Sequence, residues 1–91
     1  MDKVIELAKE LREAIEDSDE YKAYIINKNL YENSQDLIEL KKLVVRARRE
    51  NRIEDYNVLK KQYDNQPLVV NFLESKRQFK ELLETIKNMI N

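Results

Sequence analysis

Apolar residues recur along this chain at steps of three and four. Val4, Leu7, Ala8, Leu11, Ala14 and Ile15 fall on one face, while Glu6, Glu10, Glu13, Lys9 and Arg12 fill the other. That spacing predicts an amphipathic helix from Lys3 to Asp17. Ser18 then precedes Asp19 and Glu20. A hydroxyl followed by acids marks a helix start, because it accepts from free backbone N–H groups and the acids suit the positive end of the helix. A second helix is therefore predicted from Asp19 to about Tyr31, carrying Tyr21, Tyr24, Ile25, Leu30 and Tyr31. Asn27, Asn29 and Asn33 weaken its end, and Ser34 with Asp36 marks the next start.

Between Ser34 and Gln66 two apolar stripes follow one another. Leu37, Leu40, Leu43, Val44 and Ala47 share one face; Ile53, Tyr56, Leu59 and Tyr63 share another, rotated by more than a quarter turn. This rotation favours a break near residues 50–53. One continuous helix showing two faces to two partners is the alternative, since Ile38 and Val45 lie on the second stripe's side.

Asn65-Gln66-Pro67 is the clearest punctuation in the chain. Proline lacks an N–H and has a preset φ, so it suits the first turn of a helix and disfavours helix before it. After it, Leu68, Phe72, Ser75, Phe79, Leu82, Ile86 and Met89 alternate steps of four and three, a heptad-like seam flanked by Leu83 and Ile90. A helix from Pro67 to Ile90 is about 36 Å long at 1.5 Å per residue. A compact chain of this size has a radius of gyration of only about 12 Å, so the rod overhangs its own bundle. Leu68, Phe72, Phe79, Leu82, Ile86 and Met89 are accordingly the candidates for self-association.

Composition narrows the chemistry. The 91 residues include no Gly, Cys or His, so disulfides, cysteine or histidine metal sites and glycine phosphate cradles are absent. The usual general base near neutral pH is missing too. The carboxylate pairs Glu6/Glu10, Glu13/Asp17 and Glu81/Glu84 have helical-neighbour spacing, but di-iron bundles add a Glu-x-x-His motif that this chain lacks. No enzyme, cofactor or metal site is expected. The net charge is −1 at 38% charged residues, unlike the high net charge of a disordered chain. No run approaches a membrane span, and no apolar stretch follows Met1-Asp2-Lys3, so a cytoplasmic protein is expected.

That small net charge conceals a split. Residues 1–20 hold eight acids against three bases; residues 41–60 hold seven bases against three acids. Lys41, Lys42, Arg46, Arg48, Arg49 and Arg52 occupy a little under half of one helical circumference. Such a stripe suits an acidic partner or RNA phosphates. It equally suits a solvated face complemented by the acidic first helix of the same or a neighbouring chain. The five tyrosines could stack bases, anchor a protein interface, or rim the core with their hydroxyls in water.

The order of these features resembles the YlbF/YmcA family of small helical bacterial regulators of competence. The resemblance runs through the opening amphipathic helix, Ser18-Asp19-Glu20-Tyr21-Lys22-Ala23-Tyr24 and Ser34-Gln35-Asp36-Leu37-Ile38. It continues through Asn65-Gln66-Pro67-Leu68-Val69-Val70-Asn71-Phe72-Leu73 and the closing Phe79, Leu82, Leu83, Ile86 and Ile90. It implies an all-helical, self-associating protein that works through other proteins, in competence, sporulation and biofilm programmes. The best-known members belong to a complex that adjusts messenger-RNA processing by a membrane-associated endoribonuclease and is associated with iron–sulfur clusters. Relatives supply cysteines, whereas this chain has none. The segment before Pro67 also looks shorter than in those regulators.

The expectation is thus one all-α domain over 1–91, an antiparallel bundle of four to five helices with a long C-terminal helix, assembled as a homodimer. Its function would be that of a regulatory adaptor for a partner protein. An RNA-binding module using residues 41–52 is the alternative, and a purely structural coiled-coil oligomer is a third class.

Overall fold

Each helix begins where something disposes of its free amide groups. The computed structural model describes residues 2–90, which form α1 (Asp2–Glu16), α2 (Asp19–Glu32), α3 (Gln35–Arg49), α4 (Ile53–Asp64) and α5 (Pro67–Ile90). Ser18 Oγ accepts from the Tyr21 N–H at 3.2 Å, and Ser34 Oγ accepts from the Leu37 N–H at 3.3 Å. These are N-caps of the expected kind. Pro67 opens α5, where its missing N–H costs nothing, and the Gln66 carbonyl accepts from the Val69 and Val70 N–H groups, each at 3.0 Å.

The break in the 34–66 region falls at residues 50–52. The Arg52 N–H donates to the Ala47 carbonyl at 2.9 Å, and the Asn51 N–H donates to the Arg48 carbonyl at 3.2 Å. This six-to-one and five-to-two pairing is a Schellman ending, which requires a left-handed residue between them. Asn51 supplies it with φ 56°, the position glycine usually takes. The reversal explains why the two stripes are rotated: they belong to two antiparallel helices that face each other.

α2 lies antiparallel to α5 through a zipper of rings. Phe79 meets Tyr21 edge-on at 5.5 Å, Tyr24 sits 5.9 Å from Phe72 and 5.3 Å from Phe79, and Tyr31 stacks on Phe72 at 4.7 Å. Between the two phenylalanines Ser75 is 5% exposed, and its hydroxyl is satisfied by donating to the Phe72 carbonyl. A small residue there lets the helices approach. α3 and α4 form the second antiparallel pair, with Ala47 wholly buried. The Tyr31 and Tyr63 hydroxyls hydrogen-bond, joining α2 to α4.

α1 stands apart. Ile15 is half-buried and Leu11 is 37% exposed, the rest of the helix is open, and its contacts are chiefly with α2. The chain is consequently elongated, 57 × 24 × 20 Å with a radius of gyration of 18.4 Å. Its accessible surface is 7536 Å², against about 5,600 Å² for a folded monomer of this mass.

Candidate interaction surfaces

The outward face of α3 is built by its own periodicity. Leu37, Leu40, Val44 and Ala47 turn inward, which swings Ile38, Lys41, Lys42, Val45, Arg46 and Arg49 to the outside. These six residues and Glu50 line a shallow open depression of about 670 Å³. Its floor is apolar, with Ile38 half-buried and Val45 44% exposed. Cationic side chains rail both sides.

Three of the six predicted stripe residues hold local acids. Lys42 reaches Glu39 at 3.6 Å, Arg46 reaches Glu50 at 4.0 Å, and Arg52 reaches Glu50 at 3.0 Å and Asp55 at 3.2 Å. Arg52 therefore belongs to the α3–α4 corner rather than to the open groove. Lys41, Arg48 and Arg49 are exposed and make no ion pair among the described residues. They are the cations left for an outside anion.

The predicted self-association residues divide into two groups. Leu68, Phe72, Phe79, Leu82 and Ile86 are half-buried, and the Phe72 and Phe79 rings are engaged by α2 of the same chain. The tyrosines of α2 recur at the spacing this seam needs, so they occupy its N-terminal part. Met89 is 80% exposed beside the exposed Ile90, with Leu83 about two turns back. Other apolar residues are open to solvent as well: Val4, Ile5 and Leu7 on α1, Ile26 and Leu30 on α2, Val70 and Leu73 on α5. Periodicity put Val4, Leu7 and Leu30 on apolar faces without showing that no intrachain element covers them.

Titration behaviour follows the contacts. Burial, then the hydrogen bond with Tyr31, pushes the Tyr63 hydroxyl above the ordinary tyrosine range. The bond to Asp64 raises the Lys60 ammonium. The Arg77 guanidinium holds the Glu74 carboxyl below its usual range and also pairs with Glu81. The tyrosine pair borders a cavity of about 190 Å³ with Glu32, Leu37, Ile38 and Lys41. Four of the five tyrosines pack on other aromatic rings, and two of them, Tyr31 and Tyr63, pair their hydroxyls with each other.

Among the described residues no three His, Cys, Asp or Glu side chains are grouped to hold a metal ion, and no helix is long and apolar enough to cross a membrane. The surfaces on view are apolar strips, one with basic rails and one with an acidic border. No curated protein and no solved structure is similar enough to the chain to count as a match. A family model does match, over residues 4–91, and its description is control of competence regulator ComK, YlbF/YmcA. With that match spanning nearly the whole of a five-helix chain ordered as the sequence motifs required, the protein belongs to the YlbF/YmcA family.

Proposed function

We propose that this protein is a non-enzymatic regulatory adaptor that works in the cytoplasm as a homodimer and acts by presenting helix faces to a partner protein. Family membership supports a regulatory role. The observation that carries the reading is the exposed surface of 7536 Å², an excess of about 1,900 Å² over a folded monomer of this mass. Covering that excess on two protomers would bury a total in the range of obligate homodimers, roughly 2,000–5,000 Å². In self-association the end of the α5 seam, Leu82, Ile86 and Met89, contributes the apolar strip that extends past the rings held by α2.

The second reading is an RNA-binding module, favoured by the unpaired Lys41, Arg48 and Arg49 on one face. Titrating labelled single-stranded RNA at two salt concentrations separates the two. Binding that falls steeply with salt and is weakened by Arg48→Glu with Arg49→Glu supports the RNA module. No binding at low salt removes it and leaves the adaptor. Light scattering of the unaltered protein then tests the dimer, and a stable monomer at all concentrations would contradict it.

A further inference from the structure

We infer that the acidic helix α1 of one copy docks in the basic-railed groove on α3 of a second copy, a reciprocal exchange that closes the dimer. This rests on the self-association proposed above and assigns it a surface. α1 presents Val4, Leu7 and Ala8 as an apolar strip open to solvent, Val4 70% exposed, with Leu11 at 37% where the strip nears α2. Along one border of that strip run Glu6, Glu10 and Glu13, at steps of four and three. The α3 groove is its counterpart: an apolar floor of Ile38 and Val45 between Lys41 on one side and Lys42 and Arg49 on the other.

Charge selects this pairing over the other exposed strips. The depression beside Ile26 and Leu30 is lined by Asn29, Asn33, Ser34 and Leu68 and offers α1 no cation. At the α3 groove the carboxylate row of α1 meets a cationic rail beside a desolvated apolar centre, and such complementarity fixes partner and register. Lys41 on one rail and Arg49 on the other are the groove cations without an intrachain acid, and the one on the rail that the α1 carboxylates face receives them.

Geometry places the donor helix on another molecule. α1 and α3 are attached to opposite ends of α2, a helix of 14 residues and so about 21 Å long. The joint at Asp17–Ser18 is fixed by the Asp17 N–H donating to the Glu13 carbonyl at 2.9 Å and by the Ser18 cap. Folding α1 back along its own α2 would break that joint. In a two-fold dimer the same contact forms twice, so both α1 strips and both α3 grooves are covered without leaving an open end.

The chain has no native cysteine, so placed thiols report the contact cleanly. Leu7→Cys and Val45→Cys chains, mixed and oxidised, are expected to yield mainly the mixed dimer, its disulfide joining position 7 of one chain to position 45 of the other. In parallel, sedimentation equilibrium should show Glu6→Lys with Glu10→Lys weakening the dimer by about tenfold or more, and Lys41→Glu with Arg49→Glu doing the same. Mixing the two reversed chains should recover most of the loss. A dimer indifferent to both reversals, with no mixed cross-link, overturns the α1–α3 contact while leaving self-association standing. A cross-link within a single chain carrying both Leu7→Cys and Val45→Cys overturns the exchange in favour of same-chain docking. A wild-type monomer at all concentrations overturns both readings. Loss of labelled-RNA binding in Lys41→Glu with Arg49→Glu, without change in mass, assigns the groove to nucleic acid and overturns the contact.

Discussion

Removing Phe72 asks whether the aromatic zipper belongs inside one protomer. Phe72 stacks on Tyr31 at 4.7 Å and lies 5.9 Å from Tyr24, both on α2 of the same chain. Truncating a fully buried phenylalanine costs about 3–5 kcal/mol. Phe72 is half-buried, so roughly half of that, about 2 kcal/mol, is the transfer and cavity part. Losing two ring pairs adds about 1 kcal/mol in total. A loss of about 3 kcal/mol is large beside the roughly 5–13 kcal/mol that holds a chain of this length. With a urea slope of about 1.5 kcal/mol per molar, Phe72→Ala lowers the unfolding midpoint by about 2 M. Circular dichroism in urea at several protein concentrations measures it, with Phe72→Leu expected in between. The shift should persist at every concentration. A midpoint moved by less than about 0.5 M, together with a fall in mass, would refute the reasoning and place Phe72 against a second copy.

Three further outcomes follow from particular residues. Asn51→Val should cost about 1–2 kcal/mol in urea unfolding because a β-branched residue resists φ 56°, whereas Asn51→Gly should be neutral or slightly stabilising. Ser34→Ala removes the acceptor for the Leu37 N–H and should cost about 1 kcal/mol, read by the same assay. The Tyr63 hydroxyl is raised in the folded chain above its ordinary value of 10.0, by burial and then by Tyr31. Folding therefore favours the protonated phenol; this stabilisation is complete below the unfolded value and lost as pH rises through the folded one. Stability measured from pH 9 to 12 should fall less steeply for Tyr63→Phe than for the parent.

Local structure was largely legible because it is written in single residues. Ser18, Ser34 and Pro67 mark helix starts by chemistry that needs no tertiary context, and each opens a helix where expected. The α3–α4 break was signalled by the rotation of two stripes, but nothing in the sequence pattern singled out Asn51 as the left-handed residue of the reversal. What periodicity could not show is which face covers which. The seam of Phe72 and Phe79 reads alike whether it meets tyrosines of its own chain or a second copy, and only the antiparallel placement of α2 shows its partner. The stripe on α1 is as regular as that on α5, yet the first lies open and the second is largely lined by α2. Likewise the six basic residues form one arc in sequence, and only the fold separates Arg52, tied into the corner, from Lys41 and Arg49 at the groove.

A dimer is proposed because one chain of this shape leaves the α1 strip and the end of the α5 seam open to solvent. Sedimentation equilibrium of the unaltered protein from low micromolar concentration upward weighs that assembly. Twice the 11.0 kDa chain mass is expected, with dissociation only at the lowest concentrations; a single species at the chain mass throughout, fully helical and stably folded, would show that the lone protomer tolerates its open strips.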